Sequence, residues 1–181
     1  DEVLVEGKVD RVDCYHGSDR DYIRVIDYKT GGKKFDLSEV VQGLDMQMLL
    51  YLFTLGENGV ADLPSPGEAG VLYMPGSGHF TRDRRDASAE SIAEDQRKSY
   101  CMSGMVLDNP EVIEAMELGT AGRYIPVSLK KDGSYTAASS VITEEQLGLL
   151  RRQIAGNVVR MAELLHEGKI GAVPANRNGR L

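Results

Sequence analysis

Two segments rich in β-branched residues, separated by a short polar stretch, constrain the fold of this chain more than any other feature. Residues 3–13 contain four valines, and residues 22–29 contain Ile23, Val25 and Ile26. Residues 15–20, between them, have the glycine, serine and aspartate composition that is typical of turns. The pattern therefore predicts an antiparallel hairpin.

The second predicted strand ends in an aspartate and a lysine that share one face. Side chains alternate along a strand, so Asp27 and Lys29 point the same way as the apolar Ile23 and Val25. An isolated Asp-x-Lys is most often a surface ion pair or a solvated strand end. The residues on the neighbouring strand decide between this interpretation and a functional one.

Asp10 lies on the first predicted strand, where the hairpin can bring it close to Asp27. Two adjacent carboxylates repel each other unless they share a proton or a cation. Oxygen ligands of this kind suit Mg²⁺ or Mn²⁺ better than zinc. Lys29 would then lie beside the cation, where its ammonium could orient an attacking water and neutralise charge at phosphorus. Gln47 and Tyr51, four residues apart on a predicted helix, share a face that could lean over this site.

Periodicity predicts one helix and one more buried strand in the remainder of the first half. The helix is predicted from an N-cap at Ser38 to about Leu55, because apolar residues recur at helical spacing. A loop at 56–67 and a buried strand at 69–74 are expected to follow. Residues 76–88 are predicted to form a mobile excursion whose basic residues are more typical of a solvated loop than of phosphate contacts: Arg82, Arg84 and Arg85.

The second half is predicted to be mainly helical. Helices are expected at 89–100 and near 111–117, followed by a strand at 124–129 and a turn at 130–133. Thr143 and Gln146 form a capping box for a last helix that ends at Gly168. The predicted core-facing side of this helix consists of Leu147, Leu150, Ile154, Val158, Met161 and Leu165.

Composition limits the classes of function. A formal net charge of −7 argues against a general nucleic-acid binder, but not against DNA cleavage at a cation that reverses the local charge. The two cysteines, Cys14 and Cys101, form neither a disulfide framework nor a zinc-binding spacing, which favours a reducing cytoplasm. No apolar stretch is long enough to span a bilayer, so no membrane partner is expected. The chain starts with Asp1, and we expect it to be a piece of a longer protein.

Three sequence runs resemble the RecB-type nuclease module of the PD-(D/E)XK superfamily: GKVDRVD at 7–13, VIDYKTG at 25–31 and GLDMQMLLY at 43–51. Within that superfamily they are similar to the C-terminal nuclease domains of AddB or RexB-like subunits of AddAB helicase–nucleases. Three later runs agree: MSGMVLD at 102–108, PEVIEAM at 110–116 and YIPV at 124–127. The similarity covers most of the chain and is least distinctive from about 56 to 85.

This resemblance implies a fold and a domain organisation. The expected fold is an α/β, restriction-endonuclease-like core, in which a mixed β-sheet is flanked by helices and the site lies at one sheet edge. Residues 1–181 are expected to form a single nuclease domain with a variable insertion around 56–122.

The resemblance also implies a set of site residues. Asp10 and Asp27 are expected to bind Mg²⁺ (or Mn²⁺) together with the Tyr28 carbonyl, Lys29 is expected to be catalytic, and Gln47 and Tyr51 are expected to complete the site. A further acidic or histidine ligand is expected from a helix that would precede Asp1.

The implied function is that of a metal-dependent DNA exonuclease. It would hydrolyse phosphodiesters during double-strand break repair and recombination, beside an AddA-like helicase–nuclease subunit. A 4Fe–4S cluster is expected in the full-length protein, with ligands outside this chain; neither Cys14 nor Cys101 is assigned to it.

Two alternatives stay open at this point. One is another RecB-family nuclease, such as a CRISPR-associated or phage exonuclease; residues 102–116 favour the helicase–nuclease subunit instead. The other is a non-catalytic DNA-binding or scaffold module that keeps the fold. The presence of the full residue set favours an enzyme over the scaffold: Asp10, Asp27, Lys29, Gln47 and Tyr51.

Overall fold

The predicted hairpin is the first element of the fold. In the computed structural model, which describes residues 3–30, 33–76, 87–119 and 122–171, β1 (Arg11–His16) pairs antiparallel with β2 (Asp21–Lys29). Their register places Arg11 opposite Ile26 and His16 opposite Asp21. The hairpin prediction is therefore confirmed, although β1 begins at Arg11 and continues to His16, into the stretch predicted as a turn.

Five strands within the described residues form one mixed sheet in the order β1-β2-β3-β4-β5. The remaining strands are β3 (Gly67–Pro75), β4 (Ser103–Leu107) and β5 (Val141–Ile142). β2 pairs parallel with β3, β3 antiparallel with β4, and β4 parallel with β5. The flanking helices are α1 (Leu37–Val41), α2 (Gln47–Asn58), α3 (Ala89–Ser99), α4 (Pro110–Met116) and α5 (Glu144–His166). This architecture confirms the mixed sheet flanked by helices.

β2 is the central support of the site because it is covered on both faces. Ile23 and Val25 pack with α2 and α5 in the larger apolar cluster, whereas Ile26 packs with Leu72 in a second cluster on the opposite face. All four side chains are at most 1% exposed. A strand held from two sides fixes the direction of the polar residues that follow at its end.

The strand predicted at 3–13 begins only at Arg11. The Asp10 carboxylate accepts the Tyr28 N–H at 3.2 Å, so a side chain takes the donor at which the ladder would otherwise continue. Residues 3–8 are exposed and outside the sheet. The predicted and observed starts of the strand differ because a side-chain acceptor has ended the pairing of the two strands.

The single helix predicted from Ser38 to Leu55 is two helices. Asp36, not Ser38, is the N-cap of α1 and accepts the Ser38 N–H. Between α1 and α2, Gly43 has φ +87° and Asp45 has φ +52°, which are left-handed conformations that end a helix. The predicted loop at 56–67 begins later than expected, since α2 continues to Asn58.

The second half contains two strands that the sequence did not predict, β4 and β5. The strand expected at 124–129 is wrong: Glu117 accepts the N–H groups of Arg123, Tyr124 and Ile125, so a carboxylate rather than a sheet partner satisfies this backbone. Two short strands with glycine inside one of them give little periodic signal. The helices α3 and α4 and the turn at 130–133 are confirmed.

The capping box of α5 is confirmed, with Thr143 and Gln146 each bonding the other's backbone. The predicted core-facing side reaches the core through the buried Leu147, Leu150 and Ile154 and the partly buried Val158, while Met161 and Leu165 are exposed. Within the described part of the chain, no helix has the length and apolar character needed to cross a membrane. Cys14 and Cys101 are free thiols. The predicted basic excursion falls largely on residues 77–86, outside the described residues.

Candidate active site

Asp27 and Lys29 lie side by side at the end of β2, on the face that Ile23 and Val25 bury. The Lys29 ammonium is 2.5 Å from Asp27 Oδ2, and Asp27 is only 9% exposed. The contact is an ion pair without hydrogen-bond geometry, because the buried Oδ2 has no hydrogen-bond partner in the described structure. A buried carboxylate oxygen of this kind is costly unless something else binds it.

Asp10 approaches the same strand end from the start of β1. The pairing of Arg11 with Ile26 places Asp10 across from Asp27, and the hydrogen bond to the Tyr28 N–H anchors one oxygen of its carboxylate. Asp10 itself is exposed. The hairpin register and this hydrogen bond place Asp10 beside the end of β2 that carries Asp27, Tyr28 and Lys29.

Tyr73 is a neighbour of this site that sequence reasoning missed. It is the register partner of Asp27 on β3, and the Lys29 ammonium lies 5.1 Å from the centroid of its ring. Its hydroxyl donates to Asp45 Oδ2 at 3.0 Å. Burial first, and then the hydrogen bond to Asp45 and the charges of Asp45, Asp27 and Glu39, raise the pKa of Tyr73 well above its ordinary value. Tyr73 therefore stays a neutral donor.

Asp45 was also missed, although it lies inside one of the runs that carry the resemblance. Its left-handed backbone turns the carboxylate toward Tyr73 and toward Lys33, whose ammonium is 2.7 Å from Oδ1. An acidic residue two positions before Gln47, between two apolar runs, was the available signal. Asp45 links the break between α1 and α2 to the strand that carries Tyr73.

Gln47 and Tyr51 form a pair of their own on α2. The Gln47 side-chain amide donates to the Tyr51 hydroxyl at 2.8 Å. The Tyr51 ring packs so closely on the backbone of Gly7 that a side chain at residue 7 would clash. Across the described residues, no hydrogen bond or ion pair joins Gln47 or Tyr51 to Asp10, Asp27 or Lys29. Instead, Gln47 and Tyr51 line a cavity of about 760 Å³ together with Val5, Glu6 and Val9, which belong to the segment that leads into Asp10.

The donor set at Asp10 and Asp27 fits a hard divalent cation. Asp27 offers a buried oxygen without a hydrogen-bond partner, and Asp10 supplies a second carboxylate. Among the described residues, no cluster of three or more histidine, cysteine, aspartate and glutamate side chains could hold a metal. A cation at this strand end would take its other ligands from backbone oxygen and water, as Mg²⁺ commonly does.

Comparison with known proteins decides the family. A model of the PD-(D/E)XK nuclease superfamily matches residues 1–177. The chain belongs to this superfamily. PD-(D/E)XK nucleases generally use divalent metals, which agrees with the carboxylate oxygens at the end of β2.

Several relatives within the superfamily are each named as the B subunit of an ATP-dependent helicase/deoxyribonuclease. The protein of Clostridium perfringens is 36% identical over 181 residues, and that of Clostridium novyi is 36% identical over 177 residues. The protein of a Thermoanaerobacter species is 31% identical over 176 residues. Each match covers 96% of this chain but only 15 to 16% of the relative. The chain thus spans about a sixth of the length of the curated relatives it matches.

Proposed function

We propose that this chain is the nuclease module of a B-type subunit of an ATP-dependent helicase/deoxyribonuclease and that it hydrolyses DNA phosphodiesters. The observation that carries the proposal is the buried Asp27 oxygen without a hydrogen-bond partner, at the end of β2 beside Lys29 and across from Asp10. Asp27 Oδ2 has the Lys29 ammonium beside it but accepts no hydrogen bond from any described residue, so a cation bound there would supply a contact that the protein itself does not. Residues 1–181 would form one such module, with residues 56–122 as its variable insertion.

Each site residue has a defined task in this proposal. Asp10 and Asp27, with the Tyr28 carbonyl, would hold Mg²⁺ or Mn²⁺, which would supply positive charge for activating a water and for offsetting the charge that builds on phosphorus. The Lys29 ammonium orients the water and stabilises the same charge. The water oxygen bonds to phosphorus while the bond from phosphorus to the 3′ oxygen breaks. The water gives up a proton to solvent and the 3′ oxygen takes one up, which leaves a 5′-phosphate and a 3′-hydroxyl.

The supporting residues keep these groups in position. Tyr73 places its ring against the Lys29 ammonium and is held by Asp45. Gln47 and Tyr51 would complete the site from α2 by fixing the segment of residues 5–9 that leads into Asp10. Positioning of this kind matters because displacements of about 1 Å at reacting groups cost large factors in rate.

The proposal extends to the larger assembly that the relatives' names describe. An A subunit with helicase and nuclease activity would be the partner, linear DNA the substrate, and double-strand break repair and recombination the setting. A 4Fe–4S cluster in the full-length protein remains part of the proposal, with ligands outside this chain, since Cys14 and Cys101 line different cavities. We also propose cleavage from a DNA end rather than internal cleavage, because the sequence runs resemble those of exonuclease modules in such assemblies.

The decisive experiment is strand-specific cleavage by the full-length polypeptide with its partner subunit. Each strand of a linear duplex is labelled separately, and wild type is compared with Asp10→Ala in Mg²⁺ and in Mn²⁺. We expect cleavage of one strand to be lost and unwinding to be unchanged. Asp21→Ala is the matched control, since Asp21 is also a strand-end aspartate of the hairpin but pairs with the exposed His16. If Asp10→Ala cuts both strands at the wild-type rate, the module is a non-catalytic scaffold.

A further inference from the structure

A cleft rich in lysine lies directly beside the proposed site. It has a volume of about 470 Å³, and Lys29 forms part of its wall. Lys33 and Lys34 line it from the segment between β2 and α1, and Lys98 lines it from the end of α3. Serine hydroxyls and the half-buried Phe35 complete the wall. We call this cavity the lysine cleft.

The charge of the lysine cleft is opposite to that of the whole chain. The chain carries a net charge of −7, yet no aspartate or glutamate is among the cleft's described lining residues. By contrast, a cavity of about 460 Å³ elsewhere has charges of both signs in its wall, with Glu57, Glu68 and Glu144 beside Arg20 and Arg151. A local excess of lysine on an acidic protein marks the place where an anion is attracted.

The lysines of the cleft differ in how far they are already neutralised. Lys29 and Lys33 pair with Asp27 and Asp45. Lys98 meets Asp95 only at 3.3 Å in an exposed pair along α3, which contributes little. Lys34 makes no ion pair with any described residue. Lys34 and Lys98 are thus the cations most available to an incoming anion.

We propose that the lysine cleft holds the phosphates next to the scissile bond of a single DNA strand. This inference rests on the proposed function, because the cleft shares Lys29 and Tyr73 with the proposed site. Its volume of about 470 Å³ lies in the range of pockets that enclose small ligands, so it is large enough for nucleotides of one strand. Lysines that follow a backbone, with an aromatic ring beside them, are the combination that binds single strands without sequence preference. Lys34 and Lys98 act in binding and not in the chemical step.

Two cysteines of the chain provide a test that does not depend on cleavage. Cys101 lines the lysine cleft, whereas Cys14 is exposed on β1 and lines a cavity with Tyr22, Arg24 and Met116. The full-length protein with its partner subunit is incubated in EDTA, without ATP, with a short oligothymidylate. Alkylation by iodoacetamide is then followed at each cysteine by peptide mass spectrometry. We expect the oligonucleotide to slow alkylation of Cys101 about fivefold or more and to leave Cys14 unchanged; this factor corresponds to about 1 kcal/mol of protection.

Lysine variants then identify the groups that bind the strand. In Lys34→Ala and Lys98→Ala, a higher oligonucleotide concentration should be needed to half-protect Cys101. The slope of the logarithm of that concentration against the logarithm of the salt concentration should fall by about 0.7 for each phosphate that the variant no longer binds. Lys130→Ala and Lys131→Ala, in a surface turn outside the cleft wall, are the matched controls and should behave as wild type.

The outcomes separate this proposal from the proposed function. Equal protection of Cys101 and Cys14, or protection of neither, overturns the lysine cleft even if Asp10→Ala abolishes cleavage. Protection that disappears equally in the Lys130 and Lys131 controls also overturns it. If Cys101 is protected through Lys34 and Lys98 while Asp10→Ala still cleaves, the cleft stands as a single-strand site and the proposed catalytic function fails.

Discussion

The β1–β2 hairpin carries one carboxylate–cation cluster on each face, and the two are built differently. On one face, Asp13 accepts hydrogen bonds from Arg24 at 2.7 and 3.0 Å and from Arg11 at 2.6 and 3.1 Å. On the other face, Asp27 has only the Lys29 ammonium beside it, and its buried Oδ2 has no hydrogen-bond partner among the described residues. The Asp13 carboxylate is thus satisfied and the Asp27 carboxylate is left incomplete, although Arg24 Nη1 on the Asp13 side is also buried without a hydrogen-bond partner among the described residues.

This difference indicates which cluster stabilises the fold and which one is available for chemistry. Two guanidinium groups can satisfy a carboxylate in two directions, and this offsets much of the cost of removing it from water. A single ammonium placed without hydrogen-bond geometry offsets less of that cost. The Asp27 side therefore costs folding free energy in the absence of a further ligand, which is typical of sites selected for function.

The largest expected effect comes from replacing the incomplete carboxylate. Asp27→Asn should reduce DNA cleavage by about a thousandfold or more, because a neutral amide cannot hold the cation on which the mechanism depends. The free energy of unfolding without metal should stay unchanged or rise, since the substitution relieves repulsion from Asp10. Cleavage by the full-length complex and urea denaturation of this chain in EDTA measure the two quantities. A clear drop in stability with retained cleavage would mean that Asp27 is a structural ion-pair residue like Asp13.

The next largest effect should follow from changing the cation on the incomplete side. Lys29→Arg should lower cleavage about a hundredfold, because guanidinium is larger and planar and does not replace a compact ammonium between Asp27 and the Tyr73 ring. Lys130→Arg, in the surface turn, is the control for the same chemical change. Wild-type cleavage by Lys29→Arg would reduce the role of Lys29 to its charge alone.

The satisfied cluster should show the reverse pattern, with a smaller magnitude. Asp13→Asn should lower the free energy of unfolding by about 1–2 kcal/mol, since it removes the negative charge opposite the largely buried Arg24. Cleavage should be unaffected, because Asp13 points to the face opposite Asp27. Urea denaturation and the strand-specific cleavage assay, applied to Asp13→Asn and Asp27→Asn side by side, measure both effects. Equal stability losses in the two variants would remove the distinction between the two faces.

The sequence predicted the parts of this comparison that depend on strand alternation. The shared face of Asp27 and Lys29 follows from the period of two, and the hairpin brings Asp10 near them. It did not predict Tyr73 or Asp45, because their contacts depend on the parallel pairing of β2 with β3 and on a left-handed residue between two helices. Long-range pairing and positive φ at a residue other than glycine leave no periodic signal in one sequence.

The smallest effect is a difference in pH dependence between the two faces of the hairpin. Burial alone would raise the pKa of Asp13, but the hydrogen bonds and charges of Arg11 and Arg24 outweigh it and hold this pKa below its ordinary value. A depressed pKa adds stability that is fully present above the unfolded-state pKa, about 3.9, and is lost as the pH falls through the folded-state value.

The stability gap between wild type and Asp13→Asn should therefore be constant from pH 7 to about pH 5 and should shrink below about pH 4. The gap must be measured, rather than the wild-type curve alone, because Glu111 also has a depressed pKa, through its hydrogen bonds to Ser18 and Tyr15, and contributes to acid unfolding in both proteins. Urea denaturation of the two proteins at each pH gives the gap directly. A gap that persists unchanged at pH 3 would mean that Asp13 contributes through packing and not through its charge, and the contrast with Asp27 would then have to rest on cleavage alone.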